Sequence, residues 1–210
     1  EVNKLDEYID HERDNNFTYA GMRQLCDKYL IQDRESGKIF ETPQFAYMII
    51  AMVCFGKYTN SVRMNYVKRA YDYFSNFKIN LQTPLMAGVR SKIKQYASCC
   101  LIDVDDTLPS IFSSSTAAGY ATGSRYGIGL NMGRIRPLNS PIRNGEVIHT
   151  GVIPFLKLME STVKSCHQNG IRGGSATVNF PFWHYEVEDI MVLKNNSGTD
   201  DNRVRKLDYS

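Results

Sequence analysis

No stretch of this sequence approaches the roughly eighteen consecutive apolar residues that a membrane-crossing helix requires. The longest candidate, residues 45–55, follows Pro43 as a buried helix would, and no membrane partner is expected. The chain starts at Glu1 with no basic segment leading into an apolar one, so no secretory signal is read and a cytoplasmic location is expected. Cysteine is sparse: Cys26, Cys54, Cys99, Cys100 and Cys166 are an odd number with no C-x-x-C. That pattern fits a reducing compartment better than a disulfide scaffold, and it argues against a redox motif of thioredoxin type. The histidines His11, His149, His167 and His184 are scattered, and without H-x-x-x-H no metal site is expected. A Walker sequence and a G-x-G-x-x-G fingerprint are also missing; Gly127-Ile128-Gly129 is too short to count as either. With a net charge of only +3, nucleic acid is not expected as a partner.

What is present is enough for a real core: 210 residues, 42% hydrophobic and 22% charged, allow one or two globular domains. The charge is unevenly spread. Between residues 125 and 174 stand Arg125, Arg134, Arg136, Arg143, Lys157, Lys164 and Arg172 against only Glu146 and Glu160. Residues 119–174 also hold ten of the fifteen glycines. Basic side chains among glycine-rich turns point to loops through which backbone and guanidinium groups approach an anion. A solvated basic face is the plain alternative.

Hydrophobic spacing predicts a helical first part. Tyr19, Met22, Leu25, Cys26 and Tyr29 form a helical stripe with Asn16 available as a cap, and residues 31–39 around Ser36-Gly37 form a short hairpin. An apolar helix over 43–55 follows, then an amphipathic one over about 61–77 with Val62, Tyr66, Ala70, Tyr73 and Phe74 on its buried side. Cys26 and Cys54, on apolar helix faces, read as packing residues. From Gln82 the pattern changes to a strand over 98–104, a helix over 107–122 capped by Thr107, and a strand over 126–131. A helix marked by Val152, Phe155, Leu156, Met159, Val163 and Cys166 comes next, then a third strand near 176–180. This alternation predicts a parallel α/β sheet or barrel; three strands cannot close a barrel, so further sheet is expected from outside this chain.

Asp106 lies just past the first strand and Arg136 just past the second, so a crossover between neighbouring parallel strands sets them side by side at the edge where such sheets bind ligands. Arg143 follows in a loop shaped by Pro137, Pro141 and Gly145. A carboxylate beside two arginines suits a nucleotide, the acid accepting from a ribose hydroxyl and the guanidiniums pairing with phosphate. From the residues alone a structural salt bridge is the plainer reading. Alternation along the first strand puts Cys100 with Ile102 and Val104, and Cys99 with Leu101 and Asp103. Cys100 therefore reads as packing and Cys99 as the site candidate, although no base stands near it in the sequence.

Residues 82–90 (QTPLMAGVR), Ser98-Cys99, Asp106-Thr107-Leu108, Gly127-Ile128-Gly129, Gly133-Arg134-Ile135-Arg136, Ser140-Pro141-Ile142-Arg143, Arg172-Gly173-Gly174 and Leu193-Lys194-Asn195-Asn196 together carry a resemblance. In order and spacing they resemble the class I ribonucleotide reductase large subunit of bacterial and phage type. The resemblance implies an α/β fold, with a mainly helical lead-in over 1–95 and, over 96–210, the opening strands of a ten-stranded α/β barrel with its specificity-effector site. It implies reduction of ribonucleoside diphosphates to deoxyribonucleoside diphosphates for DNA synthesis through a protein thiyl radical. Cys99 matches the redox thiol, and Thr83 and Ser98 match substrate contacts. Asp106, Thr107, Leu108, Arg136 and Arg143 match the site for a dNTP or ATP effector near a homodimer interface. Residues 166–174, with Cys166, Arg172 and Gly173, match the loop that relays effector identity to substrate choice. No cofactor is expected on this chain: a metal-containing small subunit supplies the radical, and thioredoxin or glutaredoxin the reducing equivalents. The radical-bearing cysteine, the second redox cysteine, the shuttle cysteines and an ATP cone all fall outside these residues, so the chain alone is expected to be inactive and to need the remaining part of the large subunit. Two other readings stand beside this one: a stand-alone nucleotide-binding or dimerisation module, and an adenosylcobalamin-dependent reductase.

Overall fold

The computed structural model describes residues 1–92, 94–168, 172–194, 204 and 207–210. They form two compact units, Glu1–Tyr96 and Ala97–Ser210.

The first unit is helical: α1 (Val2–Asp6), α2 (Tyr19–Lys28), α3 (Pro43–Phe55), α4 (Asn60–Ser75) and α5 (Thr83–Gly88). Helix α3 is apolar almost all round and is the buried centre, with Ala46, Ile50 and Ala51 inaccessible to solvent. It starts where the sequence predicts, with Pro43 in the first turn and Thr42 Oγ1 accepting from Phe45 N. The cap of α2 is Thr18, whose Oγ1 accepts from Gly21 N at 3.2 Å, and not Asn16, which ends a preceding 3-10 turn. Tyr19 is 83% exposed and stands outside the buried stripe. The hairpin over 31–39 is present, closed by Asp33 N to Lys38 O and turning at Gly37 with φ +71°.

Helix α4 buries Ala70 and Phe74 as predicted, but the rest of its buried face differs from the predicted one. Val67, Ala70, Tyr71, Phe74 and Ser75 are buried, whereas Val62, Tyr66 and Tyr73 are exposed. Tyr71 won the central position because its hydroxyl is satisfied there, donating to Gln44 Oε1 and accepting from Asp10 N. Tyr66 instead stacks on Phe55 at the surface. Cys26 packs at the margin of this core as predicted, but Cys54 is exposed and is not a packing residue.

The second unit contains β1 (Cys99–Asp103), α6 (Leu108–Gly123), β2 (Gly127–Asn131), a small hairpin of β3 (Pro141–Ile142) and β4 (Val147–Ile148), then α7 (Ile153–Ser165). After it come the short antiparallel pair β5 (His167–Gln168) and β6 (Arg172–Gly173), then β7 (Ala176–Asn179), α8 (Val187–Val192) and β8 (Leu207–Tyr209). The sheet has the order β1-β2-β7-β8 and every pairing in it is parallel. β8 is a fourth strand that sequence periodicity did not anticipate. It is three residues long, too short for an alternating pattern to register.

Register gives each sheet face a distinct character. Cys100, Ile128, Ala176 and Leu207 align across the sheet on the side that joins the core with Leu130, Leu156, Met159 and Val178. The next row, Leu101, Gly129, Thr177 and Asp208, lies on the opposite side, where Leu101 is 82% exposed. None of the helices in the described residues is long and apolar enough to cross a membrane.

Candidate functional site

Strand β1 places two candidate groups at its two ends. At its start, Cys99 is exposed on the face opposite the helices, while Cys100 is half-buried against the core, as strand alternation requires. Ser98 Oγ lies 3.6 Å from Cys99 Sγ, and Ser98 O accepts from Gly127 N, which fixes the entry of β1 against β2.

Past the other end, the chain turns into α6. Thr107 Oγ1 accepts from Ser110 N, Pro109 occupies the first turn, and Ser110 Oγ accepts from Asp105 N. This doubly tied turn holds Asp106 at the carboxyl edge of the sheet. Asp106 Oδ1 accepts from Arg136 N at 3.0 Å, and Asp106 Oδ2 accepts from Arg136 Nε at 2.6 Å. Both terminal nitrogens of the guanidinium take no part in that pairing. The two side chains are partly exposed, at 37% for Arg136 and 26% for Asp106.

The pair borders a cavity of about 320 Å³. Thr107 and Leu108 stand on the α6 side, Ile111 and Phe155 supply apolar wall, and Ile142, Val147, Ile148, His149 and Thr150 come from the β3–β4 hairpin and the residues just after it. The cavity thus sets the Arg136 guanidinium and the Asp106 carboxylate beside an apolar wall, so it offers an anion-pairing group, a hydroxyl acceptor and an apolar surface together. Arg143 does not line this cavity. It is exposed at the hairpin tip, directly after Ile142, where Arg143, Asn144 and Gly145 all have left-handed φ. The structure thus joins Asp106 to Arg136 and leaves Arg143 outside the cavity lining, next in the chain to Ile142.

The loop from Cys166 onward starts at the end of α7 and returns through β6 beside β5. Gly174 closes it tightly: a Cβ there would lie 2.0 Å from Val163 O and 2.6 Å from the Thr122 side chain. Gly173 is exposed. The Arg172 side chain, Asn195 and Asn196 lie outside the described residues. Thr83 belongs to the first unit, at the start of α5, with Oγ1 2.9 Å from Tyr29 Oη. Sequence reasoning missed the lining role of Ile142, Val147, Ile148 and Thr150. Two-residue strands leave no periodic signal, and these residues are exposed or half-buried like any loop.

Residues 97–210 match the family model described as ribonucleotide reductase, barrel domain, and residues 15–93 match ribonucleotide reductase, all-alpha domain. The chain is 51% identical over 209 residues to the ribonucleoside-diphosphate reductase 1 subunit alpha of Escherichia coli, covering 100% of this chain and 28% of that protein. It is 48% identical over 209 residues to the subunit alpha of Enterobacteria phage T4, with the same two coverages of 100% and 28%. Against the subunit alpha of Buchnera aphidicola subsp. Baizongia pistaciae it is 52% identical over 206 residues, 98% of this chain and 27% of the relative. The chain therefore spans just over a quarter of the length of these relatives.

Proposed function

The chain belongs to the ribonucleotide reductase large-subunit family, and we propose that it serves as the effector-binding opening part of the catalytic barrel in a cytoplasmic ribonucleoside-diphosphate reductase. The observation that carries this reading is the pairing of Asp106, just past the end of the strand that presents Cys99, with Arg136 beside an apolar-walled cavity.

In this reading Cys99 is one of two thiols that reduce the substrate. The pair becomes a disulfide as the ribose 2′-hydroxyl leaves as water and hydrogen takes its place. The second thiol, the radical-bearing cysteine and the shuttle cysteines come from the remaining part of the large subunit, the radical comes from a metal-containing small subunit, and thioredoxin or glutaredoxin restores the thiols. Exposure of Cys99 on the helix-free sheet face supports this, since that is the lumen side of an α/β barrel. Ser98 beside it and Thr83 at the start of α5 are the substrate-contacting hydroxyls.

The cavity takes a deoxynucleoside triphosphate or ATP as effector. Asp106 retains lone pairs for a ribose hydroxyl even while both its oxygens accept from Arg136. The terminal guanidinium nitrogens of Arg136 meet phosphate, Arg143 reaches it from outside the cavity lining, and Thr107 and Leu108 border the sugar and base. Residues 166–174, including Cys166, Arg172 and Gly173, relay the occupant to substrate choice across a homodimer of large subunits.

The direct test is Cys99→Ser in the complete large subunit, assayed with its small subunit. Ribonucleoside-diphosphate turnover is expected to fall to background while dTTP still binds. Undiminished turnover would remove Cys99 from the chemistry.

A further inference from the structure

Glu186 is 5% exposed, and among the described residues no Lys or Arg side chain pairs with it. A buried carboxylate without a cation is costly unless main-chain donors replace the water it loses. Here they do: Glu186 Oε2 accepts from Leu138 N at 2.9 Å and from Val152 N at 3.0 Å, while Oε1 lies 3.3 Å from Val152 N. Val152 is the N-cap of α7, so the carboxylate also meets the positive end of a thirteen-residue helix.

The placement of those two donors is informative. Leu138 and Val152 are the feet of the segment that carries the β3–β4 hairpin, and Ile142, Val147, Ile148, His149 and Thr150 of the cavity wall all lie between them. The neck of the segment is further closed by Asn139 N to His149 O and His149 N to Ser140 O. Next to Glu186, His184 Nδ1 accepts from Glu186 N at 3.1 Å and its Nε2 donates to Ile135 O at 2.9 Å, tying the residue just before Arg136 to the same short stretch. Gly151 has φ +84°, and a Cβ there would lie 2.5 Å from Glu186 Oε1. The close approach of carboxylate and loop is thus matched by a glycine on the loop side.

We propose that Glu186 is a positioning residue for the nucleotide effector, clamping both feet of the cavity's hairpin segment so that the apolar wall and Arg136 stand at the separation the nucleotide needs. This rests on the reading of the Asp106–Arg136 cavity as the effector site. Glu186 itself does not line the cavity. Its removal acts through the segment: the feet part, the free-state ensemble broadens, and the nucleotide must restore the order as it binds.

The test uses the full large subunit, with dTTP titrated calorimetrically into wild type, Glu186→Gln, Glu186→Asp and Arg136→Ala, and amide hydrogen exchange followed over residues 138–152. Glu186→Gln keeps the volume but loses the charge on both hydrogen bonds, and its dTTP Kd is expected to rise about tenfold, the scale of losing charge assistance. Exchange over 138–152 should quicken without nucleotide and return to the wild-type rate at saturating dTTP. Glu186→Asp, which keeps the charge with a shorter reach, should fall between the two, and it decides the matter if Glu186→Gln does not fold. A merely structural role would lower the melting temperature and leave the dTTP Kd unchanged. An unchanged Kd in the Glu186 variants, with Arg136→Ala weakened, overturns the positioning role alone. An unchanged Kd in Arg136→Ala overturns the effector-site reading beneath it.

Discussion

Arg136 engages Asp106 through two donors of different origin, its own backbone N–H and its side-chain Nε. A bidentate contact of that kind fixes both the loop and the guanidinium plane, so the terminal nitrogens are aimed rather than free to sample rotamers. Arg136→Ala is expected to weaken dTTP binding by about 1.5–3 kcal/mol, the scale of one charge-assisted bond, and calorimetric affinity equal to wild type in a folded protein would refute it. Much of this was legible from sequence. Asp106 and Arg136 follow consecutive parallel strands, and the register of β1 against β2 brings their ends level through Asp103 and Asn131. Glu186 was not legible. It lies just before Glu188 and Asp189, with no local pattern that sets it apart from them, and only the packing of the 138–152 segment over it makes it a buried acceptor.

At the scale of elements, the turn from β1 into α6 was readable because each of its residues has a local reason to be there. Thr107 caps, Pro109 opens the first turn, and Ser110 closes back on Asp105. Thr107→Ala is expected to cost about 0.5–2 kcal/mol of stability in chemical denaturation, with Thr107→Ser close to wild type; equal loss in both variants would mean that the cap oxygen is not what matters. Helix α4 shows where local reasoning stops. Its aromatic residues point in several directions, and the predicted stripe through Val62, Tyr66, Ala70, Tyr73 and Phe74 fits helical spacing as well as the buried one through Val67, Ala70, Tyr71 and Phe74, with which it shares only Ala70 and Phe74. The choice between them was made by partners distant in sequence, Gln44 and Asp10 on one side and Phe55 on the other.

For the molecule as a whole, the all-alpha and barrel parts have separate cores and separate anchors. The first unit contains a buried ion pair, Arg90 with Glu41, whose side chains are 9% and 7% exposed. Arg90 also donates to Tyr29 O, Glu41 Oε1 accepts from Ile31 N, and burial draws the Arg90 guanidinium below the usual arginine pKa. Removing one partner leaves the other charge stranded. Arg90→Ala is therefore expected to destabilise the first unit by about 3–5 kcal/mol, and a loss below about 1 kcal/mol by urea unfolding would show that water reaches Glu41. The sequence by itself determined the order of elements, the parallel alternation of the second unit, the two faces of β1 and the candidates Cys99, Asp106 and Arg136, because periodicity, caps and strand ends are local properties of the chain. The tertiary structure alone decided the buried face of α4, the three-residue strand β8, the hairpin wall of the cavity, the exclusion of Arg143 from its lining and the clamp at Glu186. Each of these depends on which distant groups can satisfy a buried polar atom or fill a gap, and that is set only when the whole chain has packed.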